Sequence, residues 1–167
     1  AGVGGTLLGA SLCDPPRTAV GIEINPRWVE IYYQVLKQHP ELIPGTMHLG
    51  DCRKVMAEMQ DNSFDFIATD PPYNLQLKRT MCTGKESPFT NRHTDYNMLS
   101  EEEGDIANLE SYEEYLTAMG EVFEQCLRIL KPGGYMTVIL RNAYQGGRYI
   151  FTHADLARVA GGINDGN

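Results

Sequence analysis

The stretch Thr69-Asp70-Pro71-Pro72-Tyr73-Asn74 follows an apolar run, residues 64–68, that predicts a buried β-strand. Each proline fixes its own φ near about −65° and has no N–H, so the strand ends in a stiff corner whose carbonyls can accept hydrogen bonds. Open α/β sheets bind ligands at the carboxyl ends of their strands. A rigid set of acceptors beside an aromatic ring suits a planar group that bears an NH2. The alternative is a plain Asp-Pro-Pro turn with Tyr73 as a surface cap.

Composition sets the class of protein. The chain has 167 residues, of which 42% are hydrophobic and 22% charged, which is typical of one soluble globular domain. No apolar run approaches the length of a membrane span, and no signal-peptide pattern opens the chain. The cysteines show no CxxC pair and no metal-like spacing with histidine, so we expect no metal site, free thiols and a cytoplasmic location: Cys13, Cys52, Cys82 and Cys126.

Charge is distributed unevenly along the chain. The net charge of −8 argues against a wholly basic surface for nucleic acid. Residues 75–110 form a long irregular stretch, and loops of that length inside a domain are usually functional or disordered. We predict that this stretch is an insert loop on the substrate side, although an ordinary solvated loop is the alternative. Its basic residues are the candidate DNA contacts: Lys78, Arg79, Lys85 and Arg92.

A glycine-rich turn opens the chain at residues 1–6, Ala-Gly-Val-Gly-Gly-Thr, and precedes a predicted helix at residues 7–12. Glycines at this density let a ligand approach the backbone closely, although a flexible tail would look the same. Glu23 ends a predicted strand and lies 19 residues after Gly4. That offset is close to the ~20 residues at which an acid accepts hydrogen bonds from a ribose in nucleotide-binding units. Because Leu7 replaces the third glycine of the dinucleotide fingerprint, the pattern favours another adenosine-bearing ligand over NAD.

Three acids each end a predicted strand. Glu23, Asp51 and Asp70 follow the runs at residues 18–24, 46–51 and 64–69. If these strands are parallel, their carboxyl ends meet at one edge of the sheet. The sequence therefore predicts a polar pocket for a cofactor at that edge.

Helix signals separate and follow these strands. Asn25-Pro26 predicts a helix start, and Ser111 with Glu114 predicts a capping box before a long apolar stripe. We predict helices at residues 26–39, 52–59 and 111–130, a turn at 131–134, a strand at 135–140 and a short helix from 152. Residues 1–160 are then one catalytic domain and residues 161–167 a loose end.

Five segments carry a resemblance to a known family: residues 1–6, 21–23, 50–51, 70–73 and 130–134. Together they resemble the class I S-adenosylmethionine-dependent amino-methyltransferases, and most closely the DNA N6-adenine/N4-cytosine methylases. The resemblance implies a Rossmann-like α/β fold, with a mostly parallel sheet and helices on both faces. Relative to that pattern, the first strand and the terminal hairpin are missing, so we expect a slot between the strands that end at Glu23 and Asp70.

The resemblance also implies roles for individual residues. Asp70 and the Pro71 carbonyl would accept hydrogen bonds from the target amine, and Tyr73 would stack on the flipped-out base. Glu23 would hold the ribose hydroxyls of S-adenosylmethionine. The implied catalytic set is Asp70, Pro71, Pro72 and Tyr73, and the implied cofactor set is Gly2, Gly4, Thr6, Glu23, Asp51, Cys52 and Asp70.

We therefore expect a methyltransferase that moves a methyl group from S-adenosylmethionine to the N6 amine of adenine in DNA, as in restriction–modification systems. The alternatives are methylation of N4 of cytosine or of an RNA base, and a truncated cofactor-binding module without activity. No separate recognition domain fits into 167 residues, so an additional segment or domain is expected to help bind the DNA.

Overall fold

The computed structural model describes residues 1–72, 102–145 and 147–164 of the chain. Helices and strands alternate along the first part, as expected of an α/β protein. The elements are α1 (Gly5–Ser11), β1 (Val20–Glu23), α2 (Pro26–Gln38), β2 (Thr46–Leu49), α3 (Cys52–Ala57), β3 (Phe64–Thr69), a 3-10 helix (Ile106–Asn108), α4 (Tyr112–Ile129), β4 (Leu130–Val138), β5 (Ala143–Gln145), β6 (Arg148–Ile150) and α5 (Thr152–Asn164).

Contacts along the chain divide it into two compact units. The first unit comprises Ala1–Thr69 and Glu121–Thr137, and the second comprises Asp70–Gly120 and Val138–Asn167. The description below takes each unit by itself.

In the first unit, β1 and β2 form a parallel pair in which Val20 lies opposite Thr46 and Glu23 opposite Leu49. The side chains of Leu7, Tyr32 and Met47, from α1, α2 and β2, form a buried cluster against this pair. At the start of α2, the Asn25 side chain accepts a hydrogen bond from the N–H of Arg27, 2.9 Å away, which confirms the predicted cap. Burial of α1 and α2 against the strands therefore fixes the edge at which Glu23 ends.

The strands β3 and β4 form a second two-stranded sheet in the same unit. The turn before β3 is anchored to the end of α4, because the N–H groups of Asn62 and Ser63 donate to the carbonyls of Arg128 and Ile129 at 3.0 and 2.8 Å. Further along, Lys131 forms an ion pair with Asp65 at 2.8 Å. These contacts hold the strand that leads into the Asp-Pro-Pro corner.

One boundary differs from the sequence prediction. The sequence predicts a turn at residues 131–134 and a strand from Tyr135, but β4 begins directly after α4, at Leu130. Pairing with β3 accounts for the difference: an added Cβ on Gly134 would lie 2.9 Å from the Asp65 carbonyl oxygen, so the two backbones are in close contact there. Tertiary pairing overrides the turn signal of Pro132 and the two glycines.

In the second unit, the capping box at the start of α4 is confirmed. The Glu114 N–H donates to the Ser111 hydroxyl, and the Ser111 N–H donates to the Glu114 carboxylate, each at 3.1 Å. An antiparallel hairpin of β5 and β6 precedes α5. The sequence predicts a loose end from Gly161, whereas α5 continues to Asn164. Burial of Leu156 on this helix offsets the cost of about 1 kcal/mol that each glycine adds.

The α/β class is confirmed, with a parallel strand pair and intervening helices. Within the described residues, the expected single sheet is divided into three two-stranded sheets, and β1 and β3 belong to different ones. Direct pairing of these two strands would have refuted the expected slot between them, and it does not occur. None of the helices in the described ranges is both long and apolar enough to cross a membrane.

Candidate cofactor and catalytic site

The glycine turn has a backbone that other residues cannot easily adopt. Gly2 has φ of +57° and Gly4 has φ of +78°. An added Cβ on Gly4 would lie 2.3 Å from Cδ2 of the buried Tyr32, whereas one on Gly2 or Gly5 would meet nothing within 4 Å. The turn is therefore packed against α2 at Gly4 and has open space at the glycines on either side of it.

Glu23 ties this turn to the end of β1. Its Oε2 accepts hydrogen bonds from the Gly2 N–H at 2.6 Å and from the Ala1 amino group at 3.1 Å, and its Oε1 accepts one from the Asn25 N–H at 2.9 Å. The side chain is only 11% exposed. A carboxylate offers about four acceptor positions, so these three donors leave one position, on Oε1. The 19-residue offset is thus a direct contact between the acid and the glycine turn.

Asp51 caps α3 and is held by Arg53. Its Oδ1 accepts from the Arg53 N–H at 2.9 Å, and its Oδ2 lies 2.7 Å from the Arg53 Nη2. Arg53 also reaches Glu121 on α4 at 2.9 Å. Burial alone would raise the pKa of Asp51, but the hydrogen bonds and charge of Arg53 outweigh it, so that this pKa lies below its usual value. Asp51 is therefore ionised at neutral pH and fixed in orientation.

Glu23 and Asp51 lie at the same edge of one sheet. Glu23 pairs with Leu49, and the N–H of Gly50, which directly precedes Asp51, donates to the Glu23 carbonyl at 2.8 Å. This is the arrangement expected for two of the three acids. The neighbouring Cys52 thiol has a raised pKa, because it is buried and lies beside the Asp51 charge, so it stays neutral.

The other predicted site residues are only partly described. Asp70 and Pro72 are exposed directly after β3, and Pro71 between them is buried. Thr6 lies exposed in α1. Asp70 belongs to the second unit, so its place beside Glu23 and Asp51 stays a prediction. Tyr73 and the basic residues of the insert lie outside the described residues: Lys78, Arg79, Lys85 and Arg92.

Two residues of this region were not singled out from the sequence. Arg53 orients Asp51, and the signal that could have found it is its position two residues after the capping acid. Tyr32 occupies the space that a side chain at Gly4 would need, and its hydroxyl accepts from the Gly45 N–H at 2.8 Å. Its burial could be predicted from helical spacing, but its contact with the glycine turn could not.

Comparison with known proteins identifies relatives of the chain. Over 103 residues it is 29% identical to "Type II methyltransferase M.HpaI" of Haemophilus parainfluenzae, covering 62% of this chain and 25% of the relative. It is 33% identical over 98 residues to "Type II methyltransferase M.BglII" of Bacillus subtilis, covering 59% and 19%. The chain thus spans a quarter or less of the length of these relatives. The solved structure of a DNA modification methylase from Thermus thermophilus matches with a TM-score of 0.44 and 22% identity, over 68% of this chain and 38% of that one.

A family model supplies the assignment. The model described as "DNA methylase", of the N6/N4 methyltransferases, matches residues 64–160, which is more than half of the chain and includes the Asp-Pro-Pro-Tyr corner. On this match, the chain belongs to the N6/N4 DNA methylase family.

Proposed function

We propose that the chain carries the catalytic core of an S-adenosylmethionine-dependent DNA methyltransferase that modifies the N6 amine of adenine. The observation that carries the proposal is the Glu23 carboxylate, which meets the Gly2 N–H at 2.6 Å at the sheet edge that also bears Asp51. An acid that clamps a glycine turn is suited to an adenosine-bearing cofactor. The names of the relatives suggest a role in a type II restriction–modification system.

The residues present fit the cofactor. An added Cβ at Gly2 or Gly5 would meet nothing within 4 Å, so a ligand can approach the backbone at these two glycines. The remaining acceptor position on Oε1 of Glu23 suits one ribose hydroxyl. Asp51 and the Cys52 backbone would meet the adenine ring, and Thr6 the methionine carboxylate. When bound, the cofactor supplies a methyl group activated by its attachment to a positively charged sulfur.

Asp70 and Pro71 would act on the substrate amine. The lone pair of an exocyclic amine is delocalised into the base, which makes the nitrogen a poor nucleophile. Two acceptors, the Asp70 carboxylate and the Pro71 carbonyl, would bind its two N–H groups and favour a pyramidal nitrogen with a localised lone pair. The same acceptors would stabilise the positive charge that develops on the nitrogen as the new N–C bond forms.

Tyr73 would hold the base outside the helix. Extruding a base costs a few kcal/mol, and stacking on an aromatic ring offsets part of this cost. Pro72 would keep the ring at a fixed distance from Asp70, because its φ is locked. In this account positioning supplies much of the rate.

Methyl transfer to unmethylated genomic DNA tests the proposal. The chain is incubated with the DNA and with S-adenosylmethionine labelled in its methyl group, and the DNA is then digested to nucleosides. We expect the label in N6-methyladenine. Label in N4-methylcytosine instead would replace the proposed target base. Cofactor binding measured by calorimetry with no label in DNA would favour a binding module without activity.

A further inference from the structure

A cavity of about 400 Å³ lies in the second unit, outside the residues assigned to cofactor or catalysis above. It is formed by the end of the β5–β6 hairpin, the first turns of α5 and the start of α4. The side chains that matter for its chemistry are aromatic or charged: Tyr112, Tyr149, Phe151, His153, Asp155 and Arg158.

Three rings form one aromatic surface along this cavity. Tyr149 and Phe151 stack with their centroids 6.4 Å apart and their planes at 26°, and Phe151 meets His153 edge-on at 6.2 Å. Tyr149 is 71% exposed and Phe151 is 56% exposed. Rings exposed to this extent present flat π-face area to a planar ligand.

The opposite wall is polar and held by internal hydrogen bonds. The Asp155 carboxylate accepts from the Tyr112 hydroxyl at 3.0 Å and from Nη1 of Arg158 at 3.1 Å. The His153 ring is held by a 2.7 Å hydrogen bond to the Asn142 side chain. Because a guanidinium has five N–H donors, the 79% exposed Arg158 keeps donors for a ligand while Asp155 fixes its position.

The charge around the cavity is opposite to that of the whole protein. Residues 138–164 contain three arginines, Arg141, Arg148 and Arg158, against one acid, Asp155, a difference of +2 in a chain of net charge −8. Arg141 and Arg148 are exposed, and neither forms an ion pair with a carboxylate among the described residues. Exposed aromatic rings beside unneutralised arginines are what single strands of nucleic acid bind: bases stack and phosphates pair with the cations.

We propose that this aromatic cavity is a docking site for unpaired nucleotides of a DNA strand. Tyr149 and Phe151 stack on a base, and Arg148 and Arg158 contact the flanking phosphates. The choice of DNA as the occupant rests on the proposed function. The site is separate from the Asp-Pro-Pro-Tyr corner and holds the strand without taking part in the methyl transfer.

The test is the affinity of the full chain for a fluorescently labelled 20-nucleotide single strand, measured by anisotropy without cofactor. We expect Tyr149→Ala and Phe151→Ala to weaken binding roughly 5- to 150-fold, the range for loss of stacking on one base. The matched control is Tyr135→Ala, because Tyr135 is 76% exposed but lies in the first unit. Its affinity should equal that of the wild type.

Two further variants identify the kind of contact. Tyr149→Leu keeps the apolar area but removes the ring, so it should bind as weakly as Tyr149→Ala. Arg148→Gln should lower the log–log salt dependence of binding by about 0.7 for one lost phosphate contact. Circular dichroism of each variant checks that the loss is not one of folding, and the salt measurement on Arg148→Gln tests the site without any change to its rings.

Unchanged affinity in Tyr149→Ala and Phe151→Ala, full binding by Tyr149→Leu, or absence of strand binding by the wild type would each overturn the proposal. So would unchanged strand affinity with a loss of self-association, which would make this face an interface between copies of the chain. Because the assay needs no cofactor, its failure is distinct from that of the proposed function. Methyl transfer that survives with a fully binding Tyr149→Ala removes the docking site alone, whereas strand binding through Tyr149 without any methyl transfer removes the enzyme alone.

Discussion

At the scale of single residues, Glu23 is the central group of the proposed cofactor site. Its side chain joins three parts of the backbone, because it accepts hydrogen bonds from Gly2, from Asn25 and from the amino group of Ala1. A carboxylate that is 11% exposed and held by several donors costs little further ordering when a ligand hydroxyl arrives. Glu23 therefore both shapes the turn and presents the acceptor.

Replacing Glu23 tests this dual role. Glu23→Ala should weaken S-adenosylmethionine binding by about 1–3 kcal/mol, the scale for leaving a buried hydroxyl unpaired. Glu23→Gln keeps the size but loses the charge, so its affinity should lie between those of the wild type and Glu23→Ala. Glu30→Ala, on the exposed face of α2, is the control and should bind normally. Equal calorimetric affinities for all four proteins would remove Glu23 from the site.

The glycine turn offers a matched pair of substitutions. Gly4→Ala should destabilise the protein by at least about 2 kcal/mol, because an L-residue at φ +78° is strained and the added Cβ would lie 2.3 Å from the Tyr32 ring. Gly5→Ala meets nothing within 4 Å and lies in the first turn of α1, so it should stabilise by up to about 1 kcal/mol. Urea unfolding distinguishes the two. A Gly4→Ala protein as stable as Gly5→Ala would show that the turn is not packed on Tyr32.

At the scale of elements, the start of α3 combines two contributions of Asp51, a helix cap and an ion pair with Arg53. The pKa of Asp51 is lowered in the folded protein, so its charge contributes stability above the unfolded value of about 3.9. That contribution is lost as the pH falls through the lowered pKa. The cap, in contrast, needs only a side-chain oxygen.

Two variants separate these contributions. At pH 7, Asp51→Asn should keep the cap but lose the ion pair, at about 1–3 kcal/mol, and Asp51→Ala should lose about 1 kcal/mol more. Below about pH 4, the difference between wild type and Asp51→Asn should shrink as Asp51 is protonated, while that between Asp51→Asn and Asp51→Ala should persist. Urea unfolding at several pH values measures both. A wild type to Asp51→Asn difference that is the same at pH 7 and pH 3 would contradict the charge assignment.

Local sequence signals predicted the starts of helices well and the extent of β4 poorly. Asn25, Ser111 and Glu114 form their caps with neighbours two or three residues away, so the contacts are readable from the sequence. The start of β4 depends on pairing with β3, more than 60 residues earlier in the chain, which overrides the local turn signal. The site shows the same division. The offset of Glu23 from the glycines predicted their contact, but the link from Arg53 to Glu121 joins residues 68 positions apart and has no local signal.

At the scale of the whole molecule, an acidic chain must still bind an acidic substrate. With a net charge of −8, favourable contacts with DNA must come from local basic clusters, because the overall field repels phosphate. The sequence places one such cluster in the insert at residues 75–110, and the structure places three arginines in residues 138–164. The first of these lies largely outside the described residues, so its role stays a prediction from the sequence.

Charge reversal in the insert tests that prediction. Each substitution by glutamate should weaken duplex binding and lower the log–log salt slope by about 0.9 if the residue contacts a phosphate. Lys37→Glu, on the exposed last turn of α2, is the control for the change in net charge. Salt slopes equal to that of the control would make the insert an ordinary solvated loop. The four residues to reverse are Lys78, Arg79, Lys85 and Arg92.

The central claim is that the Asp-Pro-Pro-Tyr corner performs methyl transfer, and the single-turnover rate of Asp70→Ala tests it most directly. The rate is measured with labelled S-adenosylmethionine and unmethylated duplex, and cofactor affinity is measured on the same protein. We predict a loss of at least ~10²-fold in rate, the scale for removing one group that stabilises developing charge, with nearly unchanged cofactor affinity. Asp65→Ala, which removes an exposed acid on β3, should keep the wild-type rate. An Asp70→Ala protein that transfers methyl groups at the wild-type rate would contradict the account.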